Sequence, residues 1–361
     1  MGKIKVALAG VGNCASALIQ GIEYYRKNPP AENGLTTGLM HPKFGNYAVE
    51  DITFVAAFEV NRKKIGRDLS KAVFTEPNCV VKISDVPDMD VTVKAGPVLD
   101  GVAPHMRKVF NVYDKKRTKP VDVAEELRDS KAHILVNYLP VGSSKGARFY
   151  AQSALDAGCG FVNCIPEFIA SEKEWASKFE ARKLPIAGDD IKSQVGATII
   201  HRALVDLFIK RGARVDESYQ LNLGGDTDFL NMTVEERLHS KRISKTSAVS
   251  SLIPYDVPTR IGPSDYVPSL RNKKICYIYL KGRKWANVPL QVDLKLAVED
   301  APDSAGVVVD AIRAVKVGLD RGIAGPLTSI SSYSFKHPPV TVPDSVASQW
   351  VEEFIKGTRE R

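Results

Sequence analysis

The 361-residue chain has no apolar run long enough to cross a membrane. Its longest runs are strand-sized, such as residues 134–136 with their flanks, against the ~18–20 residues a spanning helix needs. Met1-Gly-Lys-Ile-Lys5 leads straight into a short apolar strand, without the longer apolar stretch and small-residue cleavage site of a secretory signal. Cysteine is sparse: Cys14, Cys79, Cys159, Cys164 and Cys276 are odd in number, scattered, and form no C-x-x-C pair. That argues against a disulfide framework or a structural zinc site and fits a reducing cytoplasm. The basic segments lack interleaved aromatics, and no zinc-finger or RNP pattern occurs, so neither a nucleic acid nor a membrane is an expected partner. What is present is ordinary globular composition, 44% hydrophobic and 25% charged, in a length that suits about two domains. The net charge of +8 suits a small anionic substrate as well as a polymer, so its location matters more than its sum.

Residues 3–9 read as a buried strand that stops at Gly10-Val11-Gly12-Asn13-Cys14-Ala15, and residues 16–25 then carry apolar side chains at helical spacing. Strand, G-x-G-x-x-A, helix is a dinucleotide turn: Gly10 for tightness, Gly12 for close approach of a pyrophosphate, Ala15 for helix–strand packing. The helix N-terminus adds amide donors and partial positive charge for the phosphates. The acid that holds the adenosine ribose usually follows by ~20 residues. Here the candidate is Glu59, ending the strand at 52–58, and the loop-rich insertion at 24–51 accounts for the long spacing. A glutamate there repels a 2′-phosphate and favours NAD over NADP, although Arg62, Lys63 and Lys64 lie close in sequence.

Alternation then continues: helix at 122–130, strand at 133–137, helix at 143–157, strands at 160–163 and 184–188, and a long helix at 195–211. This predicts a doubly wound parallel sheet with ligand groups beyond the strand C-termini. Asn137, Pro140, Ser143, Asn163, Pro166 and Asp190 fall there.

After residue 211 the pattern changes. Residues 217–223 look like a strand, 224–228 a polar glycine loop, and a charged helix at 235–239 leads into Ser240-Lys241-Arg-Ile-Ser-Lys245. Residues 274–281 and 288–298 alternate with period two about a turn, an antiparallel pair in an open sheet, and 303–321 returns to helix. The expected class is α/β, a Rossmann-like doubly wound parallel sheet plus a second α+β domain with an open, mainly antiparallel sheet. The first domain is placed at 1–200, completed by 304–361, and the second at 201–303. Lys241 and Lys245, four apart with Ser240 and Ser244 beside them, suit an oxyanion or phosphate site, and neighbouring cations depress a lysine pKa toward general-base use.

Taken together, Gly10-Val-Gly-Asn-Cys-Ala-Ser16, Leu135-Val-Asn-Tyr-Leu-Pro-Val-Gly142, Asn163-Cys-Ile-Pro-Glu167, Gly188-Asp-Asp-Ile-Lys-Ser193, Leu223-Gly-Gly-Asp-Thr-Asp-Phe-Leu-Asn231, Ser240–Lys245, Glu299-Asp300 and Ser334-Phe-Lys336 resemble the myo-inositol-1-phosphate synthases of the shorter bacterial and archaeal kind. The resemblance runs from residue 6 to beyond 339. It implies conversion of glucose 6-phosphate to 1L-myo-inositol 1-phosphate with tightly held NAD, no net oxidation, a mono- or divalent cation of unassigned identity near the cofactor, and a cytoplasmic homotetramer built on the middle sheet. It also implies that Lys241, Lys245, Asp228, Asp300 and Lys336 stand at the substrate. Asp190 and Ser193 would lie near the nicotinamide, and Ser143 and Asn163 on cofactor-side loops. The family carries a further lysine on the strand at 274–281, where Lys281 or Lys274 can take the place; Lys281 joins the candidate set with the register left open. His201, His239 and His337 read as ordinary polar residues. The glycine turn alone would also allow an ordinary two-domain NAD(P) dehydrogenase of a small sugar or semialdehyde.

Overall fold

In the computed structural model, residues 3–29, 36–234 and 239–361 are described, without the side chains of 239–242. The chain enters through strand β1 (Ile4–Ala9), turns at the glycines and continues as helix α1 (Asn13–Lys27). Strands β2 (Ile52–Glu59) and β3 (Val93–Ala95) follow, then α2 (Val123–Asp129), β4 (Ile134–Asn137), α3 (Ser144–Ala157), β5 (Gly160–Asn163), α4 (Lys173–Ala181) and β6 (Pro185–Ala187). Next come α5 (Ala197–Lys210), β7 (Arg214–Gly224), the short α6 (Thr227–Asn231) and α7 (His239–Ser250). Strands β8 (Thr259–Tyr266), β9 (Lys273–Arg283) and β10 (Pro289–Glu299) lead to α8 (Asp300–Asp320), then β11 (Gly325–Pro326), α9 (Thr328–Ser334) and α10 (Asp344–Lys356).

Two sheets result. The first is parallel throughout, in the order β11-β6-β5-β4-β1-β2-β3. Every residue of β4, β5 and β6 is buried, which explains why they read as short continuous apolar runs without alternation. Helices α1, α8 and α10 cover one face, and α3 and α4 the other. The strand order reverses at β1, between β2 and β4, so the crevice for a ligand opens at the C-terminal ends of those strands. The second sheet, in the order β8-β7-β9-β10, pairs β8 with β7 in parallel and β9 antiparallel to both neighbours. α5 and α7 pack on one face of it through Val205, Phe208 and Val249 against Val215, Ile278 and Leu280.

From residue 36 the insertion packs against α8. The fully buried Arg313 of α8 donates to His41 O at 2.8 Å, Pro42 O at 3.2 Å and Tyr47 O at 3.3 Å, and it pairs with Asp310. The helix expected at 303–321 begins three residues earlier, so Asp300 sits in its first turn, where negative charge opposes the exposed amides. Strands β3 and β8 and helix α10 were not anticipated. Of the helix expected at 235–239, residues 235–238 lie outside the described residues.

Candidate active site

A cleft opens between the two sheets, bounded by the glycine turn, the loops after β4, β5 and β6, one face of β7 and β9, and helix α7. Gly10 has φ +97°, and a Cβ there would stand 2.8 Å from Tyr138 O, so only glycine makes this turn. Gly12 differs: its φ is −89°, and a Cβ would meet no protein atom within 4 Å. The space over Gly12 is left open by the chain, at the start of a helix with no side-chain cap and no acid in its first turn. That is a cradle for an anion, with N–H groups and helix dipole directed at it. The adenosine-side candidate, Glu59, accepts three backbone amides: Val11 N at 3.0 Å, Val60 N at 2.6 Å and Asn61 N at 3.2 Å. Beside it the buried Lys64 donates to Val11 O at 2.7 Å. Asn13 braces the loop of Cys79, whose amide donates to its Oδ1 at 2.8 Å.

The charged residues gather at the far end. Lys245 of α7, Lys274 of β9 and Lys336 after α9 line one cavity with Asp190, Asp226, Asp228 and Asp300. Asp190 is fully buried with φ +61°, a strained setting of the kind found at functional sites. Its carboxylate accepts Lys336 Nζ at 3.1 Å and the hydroxyl of Ser244, while Lys336 N donates to Asp190 O at 2.7 Å. Ser244 thus ties α7 to the loop after β6 and brings Lys245, the next residue, to the cleft. Lys274 pairs with Asp300. Burial pushes the Asp300 carboxyl up, but the Lys274 ammonium outweighs it, helped by Lys336 and Lys245, and holds it below the usual value. Asp226 goes the other way. It caps α6, accepting Asp228 N at 3.0 Å and Phe229 N at 3.2 Å, and burial with the nearby Asp228 and Asp300 raises its pKa. Burial, reinforced by the same aspartates, pushes the Cys14 thiol up to about 12, so it is no nucleophile. The result is a proton-rich pocket in which ammonium groups face carboxylates of unequal acidity.

Not every expected residue belongs to the cleft. Lys281 is exposed, opposite Glu217 and Gln291, whereas Lys274 pairs with Gly224 at the cleft end of the sheet. Seven residues apart, the two point to opposite faces, ~23 Å along the strand. Asn137 and Asn163 are fully buried and bond each other at 2.9 Å, and Asn163 donates on to Asp189 Oδ1 at 2.7 Å. Asp189 is further held by the amides of Ile169, Ala170 and Ser171 at 3.0–3.1 Å. This ladder locks strand-end loops together and does not line the cleft; burying amides there demands partners, and the strands supply them from each other. The Ser143 hydroxyl is spent on Pro140 O. Pro140, Pro166 and Ser193 do line the cleft. The side chain of Lys241 lies outside the described residues, although its backbone is in α7 with Lys245.

Sequence reasoning missed Gln220 and Asn222 on β7, Thr198 on α5 and the capping Asp226, all at the cleft. For Lys274 a signal existed: it shares parity with the apolar Cys276, Ile278 and Leu280, the inward face, and Lys281 does not. Among the described residues no group of three His, Cys, Asp or Glu converges to hold a metal ion.

Against known proteins, a family profile described as Myo-inositol-1-phosphate synthase matches residues 196–301, the stretch that carries Asp228, Lys245, Lys274 and Asp300. The inositol-3-phosphate synthase of Corynebacterium glutamicum is 52% identical over 360 residues, covering 98% of each chain. That of Mycolicibacterium smegmatis is 50% identical over 363 residues, covering 99% of each. A crystal structure of Ari2 superposes with a TM-score of 0.80 at 34% identity, covering 99% of both chains.

Proposed function

The chain belongs to the myo-inositol-1-phosphate synthase family and is an inositol-phosphate synthase, and from this we propose the chemistry its cleft performs. The substrate is D-glucose 6-phosphate, the product 1L-myo-inositol 1-phosphate, and the cofactor NAD. The residues fit that cofactor: open space over Gly12, uncapped amides at the start of α1, and the cleft running from there to the lysines. Held over Gly12 and the α1 amides, NAD would supply an acceptor for the C5 hydride of the sugar and the means of its return, so the reaction would have no net oxidation.

The side chains do the rest. A ketone at C5 acidifies C6, and an amine or carboxylate must remove that proton; Lys245, Lys274 and Lys336 with their aspartate partners stand in the cleft to do so. The enolate attacks the C1 aldehyde and closes the ring, placing negative charge on oxygen at both ends. Ammonium groups fixed by Asp190 and Asp300 need no reorganisation to stabilise that charge, which makes them worth more than the same groups in water. The acid with a raised pKa, Asp226, caps α6 and holds Asp228 at the cleft through its backbone amide. Lys241, one helical turn before Lys245, joins the substrate set in this reading.

The observation that carries the proposal is the convergence of Lys245, Lys274 and Lys336, drawn from α7, β9 and the segment after α9, on the cleft that begins at Gly12. Assembly as a cytoplasmic homotetramer, with no nucleic-acid or membrane partner, completes the reading. It is supported by the outward face of the second sheet, where Leu221 is 39% and Tyr277 42% exposed and the rings of Tyr219 and Tyr279 stack at 4.7 Å. No helix among the described residues is long and apolar enough to cross a membrane. The test is incubation with glucose 6-phosphate and NAD far below substrate concentration. A phosphorylated cyclitol, inert in aldehyde assays, is expected at many turnovers per NAD. Reduced cofactor formed mole for mole with oxidised sugar would make the protein a dehydrogenase instead.

A further inference from the structure

Along the inward face of the second sheet runs a line of buried polar side chains that the reaction above does not use: His201 on α5, and Ser218, Gln220 and Asn222 on β7. Their polarity can be read from one end. Asn222 Nδ2 stands 2.8 Å from Gly262 O, a backbone carbonyl that can only accept, so that end of the side chain is the amide nitrogen. Asn222 Oδ1 therefore faces Gln220, whose Nε2 donates to it at 3.1 Å. Gln220 Oε1 is thereby turned toward His201 Nδ1 at 3.2 Å, and because two acceptors cannot bond, Nδ1 carries the proton. The other ring nitrogen, Nε2, is then the acceptor for the Ser218 hydroxyl at 2.6 Å. Burial pushes the imidazole down to about 4, so the ring is neutral and this tautomer persists at neutral pH.

Gln220 and Asn222 line the cleft with Lys245 and Lys274, on the inward face of the sheet. Each has one amide proton left over from the chain of bonds just described. We propose that His201 is a positioning residue that holds Gln220 with its amide proton toward the cleft, where it donates to a hydroxyl of the polyol chain of a sugar phosphate. This rests on the glucose 6-phosphate reading. The hydroxyls at C2, C3 and C4 are the ones the ring closure does not consume, and a buried amide is a strong discriminator of a hydroxyl's presence. Without the Nδ1 donor, Gln220 Oε1 is a buried acceptor lacking a partner, and the side chain leaves that orientation.

Two substitutions separate positioning from packing. His201→Asn keeps an amide donor near the Nδ1 position and gives up the Ser218 bond; His201→Gln reaches the Ser218 end and gives up the bond to Gln220. Each loses one hydrogen bond, so their cost to folding is alike. Steady-state kinetics are measured with glucose 6-phosphate and its 2-, 3- and 4-deoxy analogues. The expected result is that His201→Gln lowers kcat/KM for glucose 6-phosphate about tenfold, chiefly through KM. The analogue lacking the hydroxyl that Gln220 contacts is left unchanged, and His201→Asn stays near wild type on all four. Equal losses in both variants on every substrate would overturn the assignment while leaving the reaction standing. A wild-type protein inactive on glucose 6-phosphate would overturn both.

Discussion

Replacing Lys274 by Met and, separately, Lys281 by Met discriminates sharply between the two strand lysines. Lys274 is largely enclosed, its side chain 12% exposed, and it pairs with Asp300, 29% exposed, at the cleft end of β9. A fixed donor aimed at developing negative charge contributes about 10²–10³-fold to kcat. The Met variant is therefore expected to lose that factor, with KM changed less. It also strips Asp300 of its main counter-charge, costing about 2 kcal/mol of stability for a pair that still reaches solvent. The double variant Lys274→Met/Asp300→Asn should recover most of that stability and none of the rate. Lys281 is exposed on the other face, so Lys281→Met should change stability by no more than about 0.5 kcal/mol and kcat by less than about twofold. The assay is initial-rate cyclitol phosphate formation, with urea unfolding in parallel. A folded Lys274→Met enzyme at wild-type kcat, or a Lys281→Met enzyme crippled to the same degree, would refute the reasoning.

Gly10→Ala should destabilise the protein by about 2–4 kcal/mol, from its positive φ and the 2.8 Å approach to Tyr138 O, whereas Gly12→Ala should fold normally and bind NAD at least about tenfold more weakly; calorimetric titration and thermal unfolding distinguish them. Asn163→Ala should cost about 3 kcal/mol of stability by leaving Asp189 short of a donor, while the folded fraction binds NAD as the wild type does, measured by the same pair of methods. His201 has a depressed pKa of about 4 against 6.5 when free, so the unfolded chain takes the proton first as pH falls. Stability from this group is complete above pH 6.5 and is lost between there and about 4, up to roughly 3 kcal/mol at ~1.36 kcal/mol per pH unit. Denaturant melts of wild type and His201→Asn at pH 7 and pH 4.5 should show the wild type losing more stability on acidification.

Local chemistry made the glycine turn legible, because strand, two glycines, a small residue and a helix occur together only where the backbone must turn tightly and stay bare. The alternation around β4, β5 and β6 was legible for a similar reason: strands buried on both faces leave unbroken apolar runs. Asp300, Asp228 and Lys336 came from the family resemblance, Lys245 also from its spacing with Lys241, and the fold brings them to one cleft from segments spread over more than a hundred residues. What was not legible depends on partners distant in sequence. Asn137 and Asn163 look like ligand amides on any one strand end, and only the pairing of β4 with β5 makes them each other's partners. Gln220 and Asn222 on β7 carry no motif, and their place in the cleft follows from the sheet register with Lys274. The three-residue β3 is too short to show a period at all.

The central claim, that the lysines serve a hydride removed and returned within one active site, is tested most directly with glucose 6-phosphate deuterated at C5 and NAD well below the sugar concentration. The account predicts myo-inositol phosphate that retains one deuterium per molecule at the corresponding ring carbon, with no build-up of reduced nicotinamide. Deuterium accumulating in the cofactor pool while oxidised sugar appears in equal amount would contradict it.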